Sequence, residues 1–321
     1  MEHLSVLKKE VKEYLKLSEG EIVVDATLGL GGHAKEMVQS IGKKGKLIAF
    51  EQDERNLEEA KIRLKKFEKQ IIYIHDNFRY LKTRITGAGI SEIDAILFDL
   101  GLSSPHVDEG DRGFSFLKEG PLDMRFDPRQ KLTAEIVLNT YSESELARII
   151  YEYGEERLSR MIARKICERR KTIPFKTTVD LAAFIYSIMP FKKGHSSKKV
   201  HPATKIFQAL RIEVNDELNS LKEALQQAVE MLKIGGRIAV MSYHSLEDRI
   251  VKHFFKELEN PEVKDIHESL YRTHGDPIFE SLTKKPVIPT DKEIDENLRS
   301  RSAKLRVYVR VREGHKKLIH F

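Results

Sequence analysis

Several short stretches of this chain set carboxylates, hydroxyls and imidazoles against apolar runs and glycines, where they could hold a ligand. Val23-Val24-Asp25-Ala26-Thr27-Leu28-Gly29-Leu30-Gly31-Gly32-His33 reads as a buried strand closed by an acid, then a glycine-rich turn that opens a helix. That order marks the first βα turn of an open α/β sheet, where nucleotide-like ligands lie across the strand ends. Glycine there lets the chain turn tightly and bring its backbone to a ligand with no Cβ between. A carboxylate at Asp25 would repel a pyrophosphate and suits the ammonium and sulfonium groups of S-adenosylmethionine. Gly29-Leu30-Gly31-Gly32-His33-Ala34 equally satisfies the dinucleotide pattern G-x-G-x-x-G/A. On this stretch alone a nicotinamide enzyme and a turn without ligand stand beside the methyl-donor reading.

Further candidates fall at the ends of the other strands, where open parallel sheets gather their function. Glu51 follows Lys46–Phe50 and stands twenty residues beyond Gly31, the distance at which a carboxylate reaches the ribose hydroxyls of an adenosyl group. Surface solvation is its plainer role. His75-Asp76-Asn77-Phe78 ends a third strand, and Phe78 suits either an adenine face or the core. Phe98-Asp99-Leu100-Gly101-Leu102-Ser103-Ser104-Pro105-His106 carries the strongest chemistry. Enzymes that methylate exocyclic amines of bases have a polar-Pro-aromatic loop at this sheet position, which accepts the amine's hydrogen bonds and aims its lone pair. Ser104-Pro105-His106 is similar, with histidine in place of the usual ring. A nicotinamide enzyme has no need of such a loop. After a fifth strand, Ser245 and Asp248 have capping-box spacing, while His244 is a substrate-facing candidate or a satisfied, partly buried histidine.

Elements that would position these residues alternate in the first hundred positions. Helix 4–16, strand 21–26, helix 33–41, strand 46–50, helix 55–68, strand 71–75, helix 78–86 and strand 94–100 predict a right-handed parallel sheet. From about 108 to 203 only helical patterns occur: a pair over 143–170 interrupted at Gly154, and an apolar helix over 179–189 with Thr177 and Asp180 as its capping box. Gly194-His195-Ser196-Ser197-Lys198-Lys199 reads as an exposed loop. Helix 204–232, a Gly235-Gly236 turn, strand 237–242, a helix from 245 and strand 304–311 then resume the α/β rhythm. The expected architecture is a discontinuous α/β domain, 1–107 with 204–321, carrying a helical insertion at 108–203.

The 321 residues are long enough for one large and one smaller domain. No apolar run could cross a bilayer and Met1-Glu2-His3-Leu4 lacks signal-peptide architecture, so a cytoplasmic protein is expected. Cys167 is the only cysteine, and the 12 histidines contain no H-x-x-x-H pair, so neither a disulfide framework nor a zinc helix is indicated. The net charge is +6, and residues 110–200 carry 18 Lys and Arg against 12 Asp and Glu. A basic segment beside a near-neutral domain fits a polyanionic partner, as it fits a solvated helical surface. Arg164, Lys165, Arg169, Arg170 and Lys171 cluster as candidates for phosphate.

Taken together, these segments resemble the ribosomal RNA small subunit methyltransferase H family over nearly the whole chain. The resemblance is carried by Asp25-Ala-Thr with Gly29–His33, Phe98–Pro105, Arg112-Gly-Phe-Ser-Phe116 and Gly120-Pro-Leu-Asp-Met-Arg125. Tyr153-Gly-Glu-Glu-Arg157, His201-Pro-Ala-Thr204, Phe207–Arg211, His244–Arg249 and Arg301–Arg306 complete it. It implies a class I, Rossmann-like S-adenosyl-L-methionine-dependent enzyme that methylates N4 of a cytidine in the decoding region of 16S rRNA, within the small ribosomal subunit. It places the cofactor on Gly31, Gly32, His33, Glu51, Phe78, Asp99 and His106, beside Asp25 from the loop chemistry. Glu51 stands where many relatives have aspartate, and His106 at a variable position often held by glutamine. Ser103, Ser104 and Pro105 would shape the amine site, Asp99 would lie where cofactor and base meet, and Asp123 and His244 are further catalytic candidates. No metal is expected. The two rivals are a nicotinamide oxidoreductase and an RNA-binding assembly factor that transfers no methyl group.

Overall fold

The computed structural model describes residues 5–103, 105–106, 109–189, 201–261 and 275–314. The chain divides into two compact units, Met1–Gly101 with Leu218–Phe321, and Leu102–Glu217. The loop expected at 194–199 lies outside the described residues, as does Ser104. No helix among the described residues is long and apolar enough to cross a membrane.

The first unit is built on a seven-stranded sheet. Its strands are β1 (Ile22–Asp25), β2 (Lys46–Phe50), β3 (Ile71–Ile74), β4 (Ile93–Asp99), β5 (Leu232–Ser242), β6 (Phe279–Ser281) and β7 (Lys304–Arg310), in the order β3-β2-β1-β4-β5-β7-β6. β1 to β5 run parallel to one another, and β7 runs antiparallel to both β5 and β6. Alternate side chains of each strand feed opposite faces, as the two-residue period of a strand requires. Val24, Ile48, Phe50, Ile96, Phe98, Ile238 and Val240 enter one apolar cluster. Their neighbours Val23, Leu47, Ala49, Ala95, Leu97, Ala239 and Met241 enter another. Both faces are therefore covered, which is why these strands read as unbroken apolar runs.

The order reverses between β1 and β4. In a doubly wound sheet this switch point opens a crevice at the carboxyl ends of those two strands. Asp25 closes β1 and Asp99 closes β4, so the two acids flank that crevice. The helices of this part are α1 (Lys8–Leu15), α2 (Gly32–Ser40), α3 (Glu54–Arg63) and α4 (Leu81–Gly87). α3 is shorter than the expected helix because Lys65–Gln70 tightens into a 3-10 turn.

Two departures in this unit have local causes. The Gly235-Gly236 pair is a bulge inside β5 and not a turn before it. The ladder pairs Ile93 with Leu232 but Ala95 with Arg237, and Gly235 takes φ 84°. β6 was not foreseen, since three residues are too few to show a period.

The second unit packs α5 (Ala134–Thr140), α6 (Glu143–Glu152), α7 (Ser159–Arg170), α8 (Thr178–Ile188) and α9 (Ala203–Asn215) around its own core of Leu138, Leu146, Ile149, Ile166, Phe175 and Leu210, among others. The Thr177 hydroxyl accepts from the Asp180 N–H, as its spacing indicated. The single helix expected over 204–232 is instead α9 followed by α10 (Glu217–Met231). Asp216 between them takes φ 47°, and Asn215 is pinned there by bonds to Met124 O and the Phe126 N–H. The segment between Gly110 and Pro121 crosses itself closely. A Cβ on Gly113 (φ +72°) would lie 2.1 Å from Pro121 O, and one on Gly120 would lie 1.7 Å from Gly110 O. Gly113→Ala is therefore expected to lower stability by about 3 kcal/mol, combining left-handed strain with a backbone clash. Urea unfolding checks this, and an unchanged midpoint would contradict it.

Candidate active site

The site begins with β1 and β4, whose ends are tied by Thr27. Its hydroxyl accepts the backbone N–H of Asp99 at 2.6 Å. Asp25 is 1% exposed. One of its oxygens accepts the Thr27 N–H at 3.1 Å, and the other is buried with no hydrogen-bond partner. Burial raises its pKa to about 7, the Thr27 N–H opposes the rise, and the charge of Asp99 adds to it. An orphaned carboxylate oxygen in such a place costs free energy unless a donor or cation reaches it. Asp99 is more open, and its Oδ1 accepts the Tyr243 hydroxyl at 2.8 Å. Its Oδ2 lies 3.7 Å from His33 Nε2, on a histidine 7% exposed.

The glycine turn joins this corner to β2. Gly29 takes φ +51° and donates its N–H to Glu51 Oε2 at 2.8 Å. Glu51 Oε1 accepts from the Asp53 N–H at 2.8 Å. Burial lifts Glu51 to about 8 in spite of that Asp53 bond, and the Asp53 charge pushes the same way. Gly31 and Gly32 have a second reason to be glycine. A Cβ on Gly31 (φ +80°) would lie 2.9 Å from Leu64, and one on Gly32 would lie 2.0 Å from Ser5 Oγ. Their missing side chains let α2 start close against the chain. The first N–H groups of α2 have no partner within the helix and point out of its positive end, where a carboxylate fits. Phe78, which opens a 3-10 turn four residues after β3, meets Phe98 edge-on at 5.7 Å and packs against the core. Asn77 donates to the Gln52 side chain at 2.9 Å, linking the ends of β3 and β2.

At the end of β5 the arrangement differs from the expected one. The box is shifted by one residue: His244 caps α11 (Ser245–Glu259), and Glu247 reaches back to the N–H groups of Tyr243 at 2.8 Å and His244 at 3.3 Å. Glu247 Oε1 also lies 2.8 Å from His244 Nε2. Asp248 is turned to β7, where it pairs with Arg306 at 2.7 Å and Lys304 at 3.1 Å. Those bonds outweigh burial and hold its carboxyl below the usual range. Thr27, Tyr243 and Glu247 escaped the sequence reading. The only signal for Tyr243 was its place beside His244 at a strand's carboxyl end.

Of the remaining candidates, Ser103, Pro105, His106 and Asp123 belong to the second unit. His106 is 4% exposed, with Phe114 and Phe126 at 4.8 and 5.1 Å between ring centroids. Its Nδ1 lies 3.0 Å from Ser103 Oγ, so the buried ring anchors that serine. Asp123 takes the Arg125 guanidinium on both oxygens at 2.7 Å. Burial pulls its pKa up, but the Arg125 bonds outweigh this and keep it ionised. In the basic cluster, Arg169 pairs with Asp180 at 2.8 Å and lies over Phe175, while Arg170 donates to Leu138 O at 2.6 Å. Those two arginines therefore hold the helical unit together.

The first unit's groups suit one kind of ligand: a cation for the orphaned Asp25 oxygen, vicinal hydroxyls for Glu51, and an aromatic base for Phe78. With the order β3-β2-β1-β4-β5-β7-β6 and an antiparallel β7, the sheet is that of a Rossmann-like, S-adenosylmethionine-dependent methyltransferase. Comparison with known proteins bears on which one. The sequence model of the MraW methylase family matches residues 1–311. A relative from Streptococcus mutans named ribosomal RNA small subunit methyltransferase H is 46% identical, over 97% of this chain and 98% of its own. The chain belongs to the MraW methylase family. Among solved structures, an rRNA methylase from Streptococcus thermophilus is 13% identical with a TM-score of 0.44, covering 97% of this chain and 99% of its own. A candidate methyltransferase from Streptococcus mutans in complex with SAH is 15% identical with a TM-score of 0.43, covering 96% and 99%. Membership rests on the two sequence matches.

If Asp25 and Glu51 hold the methyl donor, their raised pKa values predict pH-dependent binding. At neutral pH Asp25, at about 7, is about half protonated and Glu51, at about 8, is mostly protonated. A cation beside Asp25 and hydroxyls donating to Glu51 both favour the ionised forms, so binding releases protons and weakens as pH falls. The dissociation constant for S-adenosylmethionine is expected to be at least about tenfold larger at pH 6 than at pH 8. Titration calorimetry in two buffers of different ionisation enthalpy reads both affinity and proton release. A flat profile would contradict the assignment.

Proposed function

We propose that the chain transfers a methyl group from S-adenosylmethionine to the exocyclic N4 of a cytidine in the decoding region of 16S ribosomal RNA, acting on the small ribosomal subunit in the cytoplasm. The observation that carries this reading is the β4 end: Asp99, held by Thr27 and Tyr243 beside the orphaned Asp25, runs directly into Gly101-Leu102-Ser103-Ser104-Pro105. The name of the Streptococcus mutans relative supports the rRNA substrate.

On this reading the first-unit residues hold the donor. Asp25 and the α2 N-terminus, with Gly31, Gly32 and His33, take its amino-acid end, Glu51 the ribose and Phe78 the adenine. The donor supplies a methyl group on a sulfonium, which needs no activation. The chain supplies alignment, which can account for about 7–11 kcal/mol of a barrier. The cytosine has to leave its stack to be reached. Asp99 accepts an N–H bond of the amine and turns its lone pair outward; in the second unit, His106 steadies Ser103, which is assigned with Ser104 and Pro105 to the amine by the sequence. Asp123, ionised and gripped by Arg125, orients that guanidinium and gives up no proton, while His244 is held toward Glu247 as a substrate-side group. The methylated amine is acidic enough to lose its proton to water, so no strong base is required.

The test is transfer of labelled methyl from S-adenosylmethionine to free 16S rRNA and to isolated small subunits, followed by nucleoside analysis. N4-methylcytidine supports the reading. Label on another nucleoside, or none on either acceptor, overturns it.

A further inference from the structure

Tyr243 enters the reading above only as the partner of Asp99, yet its contacts reach further than that bond. Its hydroxyl donates to Asp99 Oδ1 at 2.8 Å. Its ring edge packs on the start of the following loop: a Cβ on Gly101 would lie 2.7 to 3.0 Å from Cε2, Cζ and Cδ2 of Tyr243. The ring rests on the apolar cluster that contains Met241 and Leu305. Its backbone N–H is fixed at 2.8 Å by Glu247, which is 2% exposed. The phenol is thus clamped from both ends, and burial together with the Asp99 charge keeps it protonated.

We propose that Tyr243 is a positioning residue for methyl transfer, fixing the Asp99 carboxylate and packing on Gly101 from the end of the neighbouring strand. A carboxylate can rotate about its two side-chain torsions. With Oδ1 engaged by the phenol and the backbone N–H held by Thr27, one rotamer remains, and Oδ2 is the oxygen left facing His33. The phenol carries no charge and moves no proton. It removes rotational freedom from the group that must accept the amine, and its ring packs on the Gly101 that follows β4. Gly101 is glycine for the same reason, since any side chain there would displace the ring.

This inference rests on the proposed transfer reaction, and its test separates the two. Tyr243→Phe keeps the ring and its packing and removes only the oxygen. Single-turnover methyl transfer to small subunits is expected to slow about 10- to 30-fold, with the donor dissociation constant changed by less than about threefold. Asp99→Ala slows transfer further, and adding Tyr243→Phe to it should cost less than about threefold more, because the phenol acts through that carboxylate. Equal losses in both backgrounds, or no loss in the single variant, overturn the proposal. If the unmodified chain labels neither rRNA nor subunits, the substrate reading fails instead. The same cycle on thermal unfolding, which needs no acceptor, then decides the pairing: additive shifts in Tm overturn it, and non-additive shifts support it.

Discussion

Asp99→Ala is expected to slow methyl transfer on the order of 10³-fold while leaving the protein folded. The size follows from what the carboxylate does in place. It stands at the carboxyl end of β4, on the switch point of the sheet, with one oxygen engaged by Tyr243 and the other 3.7 Å from His33. Alanine removes an acceptor held in fixed orientation, and water cannot replace it without reorganising. The fold should tolerate the change. The Asp99 N–H bond to Thr27 belongs to the backbone and survives, and the apolar faces of β4 are carried by Ile96, Leu97 and Phe98. The cost is one phenol deprived of its acceptor, about 1–2 kcal/mol. Removing the Asp99 charge also relieves Asp25, whose raised pKa should fall. Single-turnover rates with labelled donor and a thermal melt together check this. A fully active variant would remove the centre of the proposed site.

Glu51→Ala should weaken S-adenosylmethionine binding by about 100-fold, or roughly 2.7 kcal/mol. Two losses add here. The ribose hydroxyls lose a charged acceptor, and the Gly29 and Asp53 N–H groups lose the oxygens that shape the turn. Glu51→Gln separates them, since it keeps an acceptor on one side and presents an amide on the other. It should fall between wild type and alanine, and its binding should lose the upper part of the pH dependence that Glu51 contributes at about 8. Equilibrium binding across pH checks both variants. Wild-type affinity in Glu51→Ala would place the ribose elsewhere.

Several segments that carry the family resemblance turn out to work in pairs distant in sequence. Asp248 in the His244–Arg249 stretch meets Lys304 and Arg306 of the Arg301–Arg306 stretch. Gly113 and Gly120 let two stretches cross backbone to backbone, and Gly154 sits where a Cβ would lie 2.8 Å from Lys205 O. Arg211 forks onto Glu217 at 2.7 and 2.8 Å. Arg169 and Arg170 cluster by sequence as phosphate candidates, and their contacts with Asp180, Phe175 and Leu138 also hold the helical unit together.

What the chain declares by itself is local. Apolar runs with β-branched residues name the parallel strands, a glycine turn after an acid names the first loop, and Thr177 with Asp180 names a helix start, because each depends on a few neighbouring residues and a fixed period. The acids at the ends of β1, β2 and β4 were legible for the same reason, being punctuation at the ends of apolar runs. What tertiary structure alone decided is long-range: that the Tyr243 phenol lies on Asp99 across 144 positions, that Thr27 bridges to Asp99 across 72, and that α9 breaks at Asp216 because Asn215 is bonded to a loop some ninety residues earlier. Hydrogen bonds of that span leave no period in a sequence. They arise only when the sheet order has brought the strand ends together, and with them the burial that lifts Asp25 and Glu51 toward neutral pKa values.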